Sequence, residues 1–176
     1  KHSVATLHAI MPVNIKKEIY FSSAIESLFS LLFGQTFSFN STSDFAQKDC
    51  KVKGRVIGGN LSVLYSMLGS ESFGQTDDLI LLIEDLDEYL YHIDRMMQAL
   101  KRAGKLKNLK ALIVGAMTQM HDNTIPFGKT AYEIIEEAFS KTKTAREYIL
   151  DEVMLKAIPE PRAELSKYAP KMLSTK

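Results

Sequence analysis

The sequence predicts an α/β layer fold, and three observations carry that prediction. Apolar runs suited to buried strands, at residues 79–83 and 109–117, alternate with segments of helical apolar spacing between residues 52 and 139. Glycines stand at the joins: Gly58-Gly59, Gly69 and Gly104. The composition, 45% apolar and 24% charged over 176 residues, is that of a folded protein, and the length suits one domain of ordinary size or one domain plus a tail.

Taken in order, residues 1–18 read as an extended segment with a turn at Met11-Pro12. Residues 19–33 carry Ile19, Ile25, Leu28, Phe29 and Leu32 at helical spacing, with Gly34 where the helix should stop. Residues 36–39 alternate Thr-Phe-Ser-Phe and suggest a short strand, followed by a polar turn over 40–44. A second strand is expected over 51–57, broken by Gly58-Gly59-Asn60, with Asn60 capping a helix over 61–68. Residues 79–83, Leu-Ile-Leu-Leu-Ile, predict a strand buried on both faces that ends at Glu84-Asp85. Leu90, Ile93, Met97 and Leu100 predict an amphipathic helix over 89–103. A strand over 109–117, a Pro/Gly loop over 124–129 and a helix over 130–139 complete the series. From residue 141 the character changes: Pro159, Pro161 and Pro170 fall in a stretch with 8 Lys or Arg and 5 Asp or Glu, where a helix over 144–157 is expected.

Composition excludes several function classes. Lys plus Arg is 22 and Asp plus Glu is 21, so bulk charge does not drive binding to nucleic acid. The one cysteine, Cys50, provides neither a disulfide framework nor a cysteine zinc site, which suits the cytoplasm. No apolar run is long enough to span a bilayer, and no signal peptide opens the chain. The chain does not begin with Met, and is expected to be processed or cut from something longer.

Four groups of residues could carry chemistry. Gly58-Gly59-Asn60 could bring backbone N–H groups to an anion, or could simply be a tight turn with an Asn cap. Glu84-Asp85 stands at the end of a buried strand, where α/β proteins place ligands, and Glu84 would be partly desolvated there. The bland alternative is a solvated loop pair or a helix cap. Of His2, His8, His92 and His121, none is spaced as a metal pair; His121-Asp122-Asn123 is a polar loop that could line a site, and His92 is expected at the surface or an interface. Met96, Met97, Met117 and Met120 read as core filler, and neither Ser22-Ser23 nor Ser41-Thr42-Ser43 forms a nucleophile elbow.

Several motifs occur in a distinctive order. They are Gly58-Gly59-Asn60-Leu61-Ser62-Val63-Leu64, Leu68-Gly69-Ser70, Ile80-Leu81-Leu82-Ile83-Glu84-Asp85, Glu88, Tyr91, Asp94-Arg95-Met96, Leu100, Ala103-Gly104 and Ile113-Val114-Gly115. This series resembles the LD-carboxypeptidase family, over roughly residues 5–140, with residues 7–12 similar to the stretch that links the family's two domains. The resemblance implies a swivelling β/β/α C-terminal domain over 19–140, a linking segment over 1–18 and a divergent tail over 141–176, with the N-terminal flavodoxin-like domain absent. It also implies a cytoplasmic serine hydrolase of cell-wall recycling, which cleaves the amide to a terminal D-amino acid in murein peptides with a Ser-His-Glu triad and no metal or cofactor. Glu84 takes the place of the triad glutamate, with Gly58, Gly59 and Asn60 as neighbours of the substrate site. The family's Gly-x-Ser-Asp turn and Gly-His pair do not occur in these residues. The resemblance therefore implies a chain inactive alone.

Two other readings remain open at this stage. One is a non-catalytic peptide- or anion-binding module, or a homodimerisation surface where a partner domain is missing. The other is a metal-dependent phosphohydrolase built on Glu84 and Asp85. Neither reading, nor the leading one, calls for nucleic acid or a membrane.

Overall fold

A computed structural model describes residues 6–10, 23–40, 52–140 and 152–156. The chain divides into two compact units, one formed by residues 1–42 and 151–176, the other by residues 43–150.

In the first unit, helix α1 (Ser23–Leu32) is followed by strand β1 (Thr36–Asn40). Gly34, at φ 74°, closes the helix: Gln35 N–H donates to Ser30 O at 2.7 Å and Gly34 N–H to Leu31 O at 3.2 Å. This is the paired closure that a left-handed residue permits. Strand β5 (Glu152–Lys156) pairs antiparallel with β1, from Thr36 opposite Lys156 to Asn40 opposite Glu152. The helix expected over 144–157 is thus a strand where it is described. Glu, Met, Leu and Lys favour helix locally, but backbone pairing with a distant segment overrides propensity. The rest of that expected helix, the turn expected at 11–12 and all of the turn expected over 40–44 except Asn40, which ends β1, lie outside the described residues.

The second unit follows the predicted alternation. Strand β2 (Val56–Asn60), helix α2 (Leu61–Ser66), strand β3 (Ile80–Leu86), helix α3 (Leu90–Arg102), strand β4 (Ala111–Thr118) and helix α4 (Ala131–Ser140) succeed one another. The sheet is parallel, in the order β2-β3-β4. Leu61 and Leu64 of α2, Ile93, Met96, Met97 and Leu100 of α3, and Ile134, Ile135 and Phe139 of α4 share one core with Leu81, Ile83 and Leu112 of the sheet. The methionines at 96 and 97 are fully buried, as core filler. The α3 helix ends as α1 does, with Gly104 at φ 75° and Lys105 N–H donating to Leu100 O at 2.9 Å.

Two strand boundaries differ from expectation. Gly58 and Gly59 lie inside β2 and do not break it. Gly58 has φ 138°, and a Cβ there would stand 1.8 Å from the Leu82 carbonyl oxygen, so glycine lets β2 close onto β3. Strand β3 does not stop at Glu84 but runs on through Asp85 to Leu86. Its polar end is paired with β4, and pairing rather than apolar character sets its length.

Candidate functional site

The period-2 alternation of β3 sends its two adjacent carboxylates to opposite faces of the sheet. Leu81 and Ile83 face the helices, and Asp85 shares their side, only 2% exposed. Glu84 faces the other way and is half-buried.

Asp85 is held by three N–H donors. Asn60 Nδ2 donates to its Oδ1 at 2.8 Å, Ser62 N–H to Oδ2 at 3.0 Å and Leu86 N–H to Oδ1 at 2.9 Å. Asn60 in turn caps α2, its Oδ1 accepting from Val63 N–H at 3.1 Å and from Ser62 Oγ at 2.6 Å. The capping role expected of Asn60 is therefore real, and Asp85 clamps that turn to the end of β3. A solvated loop pair at Glu84-Asp85 is not what forms.

Glu84 sits at an irregularity. Ile83 pairs with Val114 and Asp85 with Met117, so β4 carries one extra residue opposite Glu84. Gly115 lies in that bulge, and a Cβ on it would be 3.1 Å from Glu84 Cβ. Asn60 is Glu84's register partner on β2. Gly58, Gly59, Asn60 and Glu84 are thus brought together at the C-terminal ends of adjacent parallel strands, the usual ligand-binding edge of such sheets. The signal for Gly115 was present in the sequence, as a glycine inside an apolar strand, but its partner was not.

The same edge gathers residues that sequence reasoning left dispersed. His121 Nε2 lies 2.5 Å from Asp87 Oδ1, and His92 Nδ1 lies 2.6 Å from Glu88 Oε2. His121 N–H donates to Glu88 O at 2.8 Å and Leu90 N–H to His121 O at 2.9 Å, so the loop after β4 is stitched to the start of α3. His92 is partly exposed, as expected for a surface residue. Among the described residues no group of three or more His, Cys, Asp or Glu side chains is arranged to hold a metal ion. No described helix is long and apolar enough to cross a membrane.

A three-stranded parallel sheet with helices packed on one face and a carboxylate at its C-terminal edge defines an α/β domain. The family of the LD-carboxypeptidase C-terminal domain matches residues 53–151, and the chain belongs to it. A probable murein peptide carboxypeptidase of Bacillus subtilis (strain 168) is 45% identical over 64 residues, which are 36% of this chain and 20% of that one. The crystal structure of muramoyltetrapeptide carboxypeptidase from Oxalobacter formigenes shares the fold, with TM-score 0.63 at 23% identity, across 76% of this chain and 48% of that chain. The chain therefore spans about half, or less, of these relatives. A second likeness is of another kind. A polyribonucleotide nucleotidyltransferase of Lachnoclostridium phytofermentans is 65% identical over 40 residues, 23% of this chain but 6% of that enzyme.

Proposed function

We propose that this chain contributes the carboxylate of a serine-type LD-carboxypeptidase acting on murein peptides in cytoplasmic cell-wall recycling. Glu84 would orient an imidazole and stabilise its cationic form while a serine attacks the amide to a terminal D-amino acid. The observation that carries this reading is the half-buried Glu84 at the C-terminal edge of the parallel sheet of a family domain, opposite the β4 bulge that holds Gly115. The chemistry needs no metal or cofactor. The chain holds no Gly-x-Ser-Asp turn and no Gly-His pair, and His92 and His121 pair with Glu88 and Asp87. In this reading the serine and imidazole of the triad come from other polypeptide, and the chain alone is expected to be silent. Incubated with a murein tetrapeptide, it should release no D-alanine above a protein-free control. Release that disappears in Glu84→Gln would mean that the chain holds a complete site.

The nucleotidyltransferase likeness favours a second, narrower reading. A segment amounting to 6% of such an enzyme brings no transferase activity. No incorporation of labelled nucleotide into a polyribonucleotide is expected from the full chain; incorporation would move the function to that second family.

A further inference from the structure

We propose that Tyr132 is a positioning residue for Glu84: its hydroxyl pins the β4 bulge, and the pinned bulge sets where the carboxylate stands on the other face of the sheet. This rests on the carboxypeptidase reading of Glu84 and deepens it. Tyr132 lies in the first turn of α4, and its ring packs against the core of the second unit. Met117 N–H donates to Tyr132 Oη at 3.2 Å, and Tyr132 Oη donates to Gly115 O at 3.4 Å. The two bonds straddle Ala116, so a single oxygen atom spans the bulge.

A bulge needs such a span. The extra residue interrupts the ladder and leaves backbone groups of the bulged strand without strand partners. Met117 is buried, so its N–H has little water to turn to, and an unmet donor there is costly. Packing settles only part of this geometry. Without the extra residue Met117 would stand opposite Leu86, which is exposed, and would leave the core. The core therefore demands one more residue between Val114 and Met117, but not a particular backbone path at 115 and 116. The Tyr132 hydroxyl, bonded on both sides of Ala116, selects that path.

Both ends of the relay are fixed. Thr130 and Glu133, which bracket Tyr132 in sequence, exchange the bonds that start α4, so the helix is anchored where the tyrosine leaves it. At the other end, Gly115 stands against the stem of Glu84: a Cβ on it would lie 3.1 Å from Glu84 Cβ and 3.4 Å from Ile83 O. A shift of the Gly115 backbone opens or closes the side on which that stem rests. A carboxylate that orients an imidazole must be held to within about 0.5 Å by groups behind it. The only route by which Tyr132 meets that demand is the bulge, since it lies on the helix side and Glu84 faces away from the helices.

The test is NMR on the full chain, with ¹³C in the glutamate carboxyls and ¹⁵N in methionine, compared with Tyr132→Phe, which keeps the ring and loses the hydroxyl. Two results are expected together. The Met117 amide should exchange with solvent roughly three- to tenfold faster, as one lost bond implies. The Glu84 carboxyl resonance should shift while that of the exposed Glu71 stays. A Glu84 resonance that holds its place while the Met117 amide loosens would reduce Tyr132 to a structural bond and overturn the proposal, and so would a Met117 amide that does not respond. Where Tyr132→Phe does not fold, the unsubstituted chain grown with fluorotyrosine, whose hydroxyl is a weaker acceptor, takes its place. Joint shifts of Met117 and Glu84 are expected there, and a Glu84 carboxyl indifferent to fluorination overturns the proposal. No peptide is present in these measurements, so the two readings fail separately. Positioning fails on an unmoved Glu84 carboxyl, and the carboxypeptidase role of Glu84 fails on D-alanine release that survives Glu84→Gln.

Discussion

Replacing Asp85 by alanine should cost the second unit about 3–5 kcal/mol. The figure follows from what the carboxylate holds. It accepts from Asn60 Nδ2, Ser62 N–H and Leu86 N–H, all within 3.0 Å, while only 2% exposed. Leu86 is exposed, so its N–H can turn to water at little loss. The other two donors are partly buried in the β2–α2 turn, and each stranded donor costs about 1–3 kcal/mol. The emptied carboxylate volume adds a smaller amount. Because domains are stable by only about 5–15 kcal/mol, the loss should be plain in urea. The transition should be followed through α3 backbone resonances, which report the second unit by itself. Asp85→Asn keeps one carbonyl acceptor but turns an amide towards one of the N–H groups, and should lose roughly half as much. A loss below about 0.5 kcal/mol in Asp85→Ala would refute the clamp, because it would mean that water or a neighbour satisfies the turn without the carboxylate.

Two further changes test other parts of the edge. Gly115→Ala sets a Cβ 3.1 Å from Glu84 Cβ, so the Glu84 side chain must give by a few tenths of an ångström. It should shift the Glu84 carboxyl resonance with a stability loss near 1 kcal/mol, and an unmoved resonance would separate the bulge from the site. At the start of α4, Thr130 N–H and Oγ1 donate to Glu133 Oε2 at 2.7 and 2.9 Å, and Glu133 N–H returns a bond to Thr130 Oγ1 at 3.3 Å. The backbone and then the hydroxyl of Thr130 hold the Glu133 carboxyl below its ordinary value of 4.5. A lowered folded value means that the cap is fully present above pH 4.5 and fades as pH falls through the folded value. Hydrogen exchange at the first amides of α4 should rise in that acid range, and Glu133→Gln should flatten the dependence.

How much of this was legible in the sequence turns on the kind of signal each feature leaves. Long apolar runs and helical spacing located β3, β4, α3 and α4 to within a few residues, because burial against one core dictates those patterns. Strand β5 was not legible, since its partner β1 lies more than a hundred residues away and its own residues suit a helix. The end of β3 lies beyond its apolar run for a related reason. Apolar character stops at Ile83, but the backbone goes on pairing, and a polar dipeptide inside a strand must split between two faces. Had residues 84 and 85 been read as strand, alternation alone would have sent one carboxylate towards the helices and the other away from them. The inward one then needs donors, and the Asn-capped turn beside it offers them. Asp85 therefore fixes the scaffold, and Glu84, on the opposite face, is the carboxylate we propose for the chemistry.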